Sequence, residues 1–201
     1  FIFYFLLISS SVYIILDTFV IPHEVISLEQ NKSTEDIKNE SLELEGTGEN
    51  STYDNSEATI TSNSYKDDNI SIEITTSRMS DTTYYVADIS ISNAEYLKTA
   101  LANDTYGRNI KDTTSSIAED NNAIFAINGD YYGFRDYGYV IRNGVLYRDI
   151  ANSGNDALII DESGNFSIAN ESEVSAKELL DNGAWQVLSF GPGLIENGEI
   201  V

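Results

Sequence analysis

Asn128, Gly129, Asp130 and Tyr131 stand in the run N-G-D-Y-Y-G at residues 128–133, which brings an amide, a carboxylate and two phenols to one turn. The apolar residues 123–127 just before it have β-strand character, so the run reads as a loop at a strand end. Binding and catalytic groups usually sit on such loops. An aspartate placed there can act as general acid, base or nucleophile when its surroundings tune it. Asn128 beside it can hold substrate or water by hydrogen bonds. The plain alternative is a turn in which the Asn and Asp side chains stabilise their own backbone. Asp136 is a weaker carboxylate candidate.

Arg135, Arg142 and Arg148 fall in one short stretch of a chain that has only 11 basic residues. A guanidinium can bind phosphate in bidentate fashion. Salt bridges to the abundant carboxylates are the competing use. A second turn, Gly191-Pro192-Gly193, follows Ser189-Phe190 and offers backbone N–H groups and close approach to a ligand. Tyr131, Tyr132, Phe134, Tyr137 and Tyr139 crowd the first turn. Their faces can stack on sugar rings or simply pack. A metal could be held through Asp130 and carbonyl oxygens, but no ligand cluster of diagnostic spacing occurs, and no cofactor is expected.

The rest of the composition narrows the chemistry. The chain has 201 residues and a net charge of −22, from 33 acidic and 11 basic residues. Such a surface repels nucleic acid and anionic headgroups, so neither is expected as a partner. There is no cysteine, which excludes disulfides and thiolate metal sites. The single histidine, His23, lies outside the expected fold, which speaks against Ser-His-Asp catalysis and a His-ligated zinc site.

These groups need a scaffold, and the chain reads as three regions. Residues 1–21 are apolar, with Asp17 the one charge. As a helix rising ~1.5 Å per residue they reach across a hydrocarbon core of ~30 Å, so a single-pass anchor is expected, with a cleaved signal peptide as the alternative. Residues 22–68 carry twelve acids against three bases and little aliphatic periodicity, and are expected to form a disordered acidic stalk. Residues 69–201 are the expected folded domain. Its class is α+β: a mixed, mainly antiparallel sheet of short strands with a few helices.

Within that domain, Ile70, Ile72 and Ile74 alternate with polar residues, and residues 84–92 alternate likewise, predicting two antiparallel strands. Residues 94–102 carry helical spacing, and residues 114–121 predict a shorter helix. Residues 123–127 predict a buried strand. Asn143-Gly144 and Ser163-Gly164 mark hairpins between residues 139–142 and 145–148, and between 157–161 and 165–168. A helix over residues 174–182 has Ser175 and Glu178 at capping-box spacing and Gly183 as its stop. Residues 184–190 predict a strand with Trp185, Val187 and either Ser189 or Leu188 inward, and residues 194–201 a hairpin that is cut off.

Three blocks in order, A-I-N-G-D-Y-Y-G at 126–133, G-Y-V-I-R-N-G at 138–144 and S-F-G-P-G-L-I-E-N-G at 189–198, resemble the phosphodiester glycosidase family. The similarity covers roughly residues 84–201. It implies a hydrolase of sugar-1-phosphodiester bonds that acts on cell-envelope or exopolysaccharide glycans. The alternative is a non-catalytic glycan-binding module of the envelope. On this reading Asp130 is the acid/base or electrostatic group and Asn128 its partner. Gly129, Tyr131, Arg135, Arg142, Gly191 and Gly193 bind substrate, with Arg142 the preferred phosphate contact. The expected place is the cell membrane, with the domain extracytoplasmic. The family's later blocks, an N-P-R-T-A-like segment and a D-G-G-G-S-S-like loop, do not occur here, so the chain is expected to be a fragment of a longer protein.

Overall fold

The computed structural model describes residues 2–24, 58–154, 156–189, 192–196 and 198–200. The chain divides into two compact units, Phe1–Glu35 with Thr99–Val201, and Asp36–Lys98. The class is α+β, with antiparallel pairing in every sheet and few helices.

The first unit opens with α1, Ile2–Phe19, a helix of 18 residues. Asn109, itself in the left-handed region at φ 60°, caps the end of α1. Its Nδ2 donates to the carbonyls of Asp17, Thr18 and Ile21 at 3.1, 3.0 and 2.9 Å. The first two are among the carbonyls that a helix end leaves without intrahelical partners, and the third lies just past the helix. β1, His23–Glu24, then pairs antiparallel with β6, Gly107–Arg108. The backbone at His23 is thereby part of the fold, contrary to the expectation for that residue. Among the described residues no helix is long and apolar enough to cross a membrane, so the expected span at residues 1–21 is not shown. The helix ends before residue 21, and Ser9, Ser10, Ser11 and Asp17 interrupt its apolar surface.

The second unit is one four-stranded sheet ordered β2-β3-β4-β5, with β2 at Thr59–Ile60, β3 at Ser64–Lys66, β4 at Ile70–Met79 and β5 at Thr82–Ile91. Its long hairpin is the predicted antiparallel pair, with Ile72 opposite Ile89 and Ile70 opposite Ile91. Ser80 and Asp81 turn the hairpin at φ 49° and 62°. Positive φ at both central positions matches the right-handed twist of the arms. β2 and β3 occupy the end of the segment expected to be a disordered stalk, which corrects its boundary. They are recruited because β4 offers a ladder edge, a pairing that composition cannot show. Residues 25–57, the remainder of that stalk, lie outside the described residues.

The larger sheet belongs to the first unit and runs β10-β9-β11-β7-β8. It is built from β7, Val140–Arg142, β8, Val145–Arg148, β9, Asp156–Asp161, β10, Phe166–Asn170, and β11, Ala184–Leu188. Two predicted turns make two of its hairpins. Asn143 and Gly144 join β7 to β8 at φ 52° and 74°, and Gly164 at φ 83° joins β9 to β10. α2, Thr114–Asp120, begins at Thr113, whose Oγ1 accepts from the N–H of Ser116. α3, Ala176–Asp181, begins at Ser175, whose Oγ accepts from the N–H of Glu178 at 3.2 Å. Gly183, at φ 84°, ends it as expected. α3 lays Ala176 and Leu179 on a core of Tyr139, Ile141, Leu146, Ala157, Ile159, Ala184 and Val187. Ile141 and Val187 face each other in adjacent central strands and are fully buried.

Three local expectations fail for identifiable reasons. Residues 94–102 form no α-helix, only a 3-10 turn over Ala94–Tyr96 started by Asn93, followed by another over Ala102–Asp104. So short a helix is marginal without tertiary support. Residues 123–127 join no strand among the described residues, and Ile124 and Ile127 are exposed. Apolar character supplies strand propensity, but a strand exists only with a ladder partner. In β11 the inward residues are Ala184, Gln186 and Val187, with Trp185 half-buried. A bulge between Ala184 and Gln186 shifts the alternation. The hairpin expected to be cut off has both its arms paired, β12, Ile195–Glu196, against β13, Glu199–Ile200.

Candidate active site

Asp130 is fixed from behind by the central strands. Its Oδ1 accepts from Arg142 Nη2 at 2.6 Å, and both side chains are only 3% exposed. Its Oδ2 accepts from the backbone N–H of Ser189 at 3.2 Å, just beyond the end of β11. Arg142 ends β7, and its Nη1 also donates to the carbonyls of Ile141 and Val187. Its guanidinium lies 5.8 Å from the centroid of the Tyr132 ring. An ion pair taken out of water needs partners for its other hydrogen-bonding groups, and here Nη1 of the arginine finds two backbone carbonyls.

Tyr132 belongs to an aromatic stack. It lies 5.3 Å from Tyr106 at an interplanar angle of 17°, and Tyr106 lies 4.8 Å from Tyr147. Burial pushes the phenols of Tyr106 and Tyr132 up, so both stay neutral at ordinary pH. Burial likewise pulls the Arg148 guanidinium down from its usual value. Arg148 Nε donates to Gly138 O at 2.6 Å, and its Nη1 to Tyr132 O at 3.0 Å and to Arg135 O. Arg148 therefore folds the 132–138 loop back onto β8.

A cleft of about 160 Å³ opens on Asp130, lined by Gly107, Asn109, Ile110, Lys111, Tyr131, Tyr132, Gly133 and Phe134. It is smaller than ordinary ligand pockets of ~300–1,000 Å³. A second cleft of about 340 Å³ shares Asn109, Ile110 and Lys111 with it and extends to Pro22, Asn103 and Thr105. Tyr131 and Phe134 meet edge to face at 6.3 Å and are 57% and 56% exposed, an aromatic rim at the cleft. Lys111 is the cationic residue common to both clefts.

The expected residues are thus partly gathered. Asp130, Tyr131 and Arg142 meet in this place, and Arg135 joins through its Nη2, which donates to Ser189 O at 2.6 Å. Arg135 Nε is buried without a hydrogen-bond partner among the described residues. Asn128 and Gly129 are exposed and do not line the cleft. Gly193 packs against β10 instead: a Cβ there would stand 2.7 Å from Ile168 Cδ1. Gly191 lies outside the described residues. Asp136 is exposed and pairs with Arg108 at 3.4 Å. Among the described residues no group of three or more His, Cys, Asp or Glu side chains is placed to hold a metal ion.

Two residues have a part at the site that the sequence does not signal. Ser189, one of the two residues expected inward at the end of its strand, is fully buried, and it touches Asp130 through its N–H. Glu171 is 2% exposed and its carboxylate receives the Ser189 hydroxyl. Among 33 acidic residues, one more Glu after a strand gives no signal.

A family model, phosphodiester glycosidase, matches residues 121–201. That span holds Asp130, Arg142, Glu171 and Ser189, and the resemblance read from three sequence blocks is shown over it. No curated protein and no solved structure matches the chain.

Proposed function

We propose that the protein is a phosphodiester glycosidase that hydrolyses sugar-1-phosphodiesters of cell-envelope or exopolysaccharide glycans. The observation that carries this reading is a buried, doubly held Asp130 at the wall of an aromatic-rimmed cleft, inside the segment that matches the family. In the proposed step the bond between the anomeric carbon and the phosphate oxygen breaks. Its electron pair leaves with the phosphomonoester, water supplies the new anomeric hydroxyl, and the remaining water proton passes to solvent or the phosphate. Asp130 directs the water or stabilises positive charge on the sugar ring. Glycoside cleavage usually engages two carboxylates, and a phosphate leaving group reduces the need for the one that acts as acid.

Tyr131 and Phe134 are suited to the sugar face. The Arg142 donors Nη1 and Nη2 reach protein acceptors, so on this reading Arg142 holds Asp130, and Lys111 at the junction of the clefts meets the phosphate. The full-length protein is expected to release a phosphomonoester from a UDP-GlcNAc-like substrate. Saturable binding with no product would overturn the hydrolase and favour the glycan-binding module.

The domain is proposed to lie outside the cytoplasm. The support is the order of an apolar segment, residues 1–21, and an acidic one, residues 22–68, as in exported chains. Protease added to intact cells should degrade the domain; protection until lysis would place it inside.

A further inference from the structure

The site has a second buried carboxylate that never reaches the cleft. Glu171 follows β10 directly and is 2% exposed. Its Oε1 accepts from the N–H of Tyr139 at 2.9 Å and from the hydroxyl of Ser189. Its Oε2 accepts from the N–H of Asn152 at 2.6 Å. One carboxylate thereby ties the start of β7, the loop before β9 and the end of β11. Burying a charge is costly unless hydrogen bonds replace its water, and here three donors do so.

Ser189 is the element that links Glu171 to the chemistry. Each of its polar groups is assigned: the hydroxyl to Glu171, the N–H to Asp130 Oδ2, and the carbonyl to Arg135 Nη2. Gly138, at φ 88°, leaves the space. A Cβ there would stand 3.0 Å from Ser189 Cβ and 3.2 Å from Ser189 Oγ. The Ser189 side chain therefore fits because residue 138 has no Cβ, and its hydroxyl, N–H and carbonyl are each held by a different partner, which ties the N–H that Asp130 accepts to the same residue that Glu171 holds.

We infer that Glu171 is a positioning residue that sets the orientation of Asp130 through Ser189. The inference rests on the proposed hydrolase reading for its kinetic consequence, but the link itself is read without turnover. Glutamine keeps the size of the side chain, yet its amide nitrogen cannot accept. Glu171→Gln must therefore leave one of three donors unpaired or release Ser189.

In the full-length protein Glu171→Gln is expected to lower kcat about tenfold with KM changed less than about twofold, because the cleft walls stay in place while the carboxylate is misaligned. The Ser189 amide should exchange with solvent about tenfold faster, with the amides of β9 keeping their protection. Unchanged kcat with a protected Ser189 amide would overturn the inference, as would a loss of protection spread evenly over β7, β9 and β11, the mark of a merely structural residue. If Glu171→Gln does not fold, Ser189→Ala takes its place, since it removes only the hydroxyl. The same fall in kcat supports the link, and an unchanged kcat refutes it. A wild-type protein that turns over no sugar-1-phosphodiester sinks the hydrolase reading alone; amide exchange still decides whether Glu171 controls Ser189.

Discussion

Asp130→Asn is expected to lower turnover of a sugar-1-phosphodiester at least ~100-fold, the low end of what a positioned acid or base contributes. Asparagine preserves the shape of the side chain and can still accept from the Ser189 N–H or from Arg142. It loses the charge and presents an amide N–H₂ toward one of two donors, Arg142 Nη2 or the Ser189 N–H. Circular dichroism and an unfolding curve on the same preparation separate lost chemistry from lost fold. Near-normal turnover by a folded Asp130→Asn protein would remove Asp130 from the mechanism.

The second large effect is on stability, and it comes from the same pair. Arg142 and Asp130 are both 3% exposed, so replacing either leaves a buried charge without its counter-charge. Breaking a buried pair in this way costs about 3–5 kcal/mol. That is a large part of the ~5–15 kcal/mol that holds a typical domain together. Arg142→Met alone and Asp130→Asn alone should each shift the urea midpoint strongly downward. The double variant Asp130→Asn/Arg142→Met removes both charges and should recover much of the loss, because an apolar replacement of a whole buried pair is often neutral. Turnover should stay at the level of Asp130→Asn. Additive losses in the double variant would show that the two charges are not coupled. Recovery of turnover together with stability would reduce Asp130 to a purely structural partner.

What the sequence made legible was local. Asn143-Gly144 predicts a tight hairpin because both residues tolerate positive φ, and both adopt it. Ser175 and Gly183 mark the ends of α3 because a side-chain oxygen can take an orphan N–H and a glycine can turn left-handed. The alternation at Ile70, Ile72 and Ile74 marks a strand because a period of two puts alternate residues on one face, and β4 pairs with β5. What stayed hidden depends on partners distant in the chain. Residues 123–127 have the composition of a strand, but a ladder is a property of two segments. Arg142 reads as a phosphate ligand until Asp130 and the Val187 carbonyl are seen to claim it. Glu171 carries no local mark at all: its role arises from Tyr139, Asn152 and Ser189 converging on it from three places in the chain.

The central claim is that the protein cleaves the sugar carbon–oxygen bond of a phosphodiester. Hydrolysis of a sugar-1-phosphodiester in water enriched in oxygen-18, followed by mass analysis of both products, tests it most directly. The account predicts the label in the anomeric hydroxyl of the released sugar and none in the phosphomonoester. Label in the phosphomonoester would mean phosphorus–oxygen cleavage by an ordinary phosphodiesterase, and would contradict it.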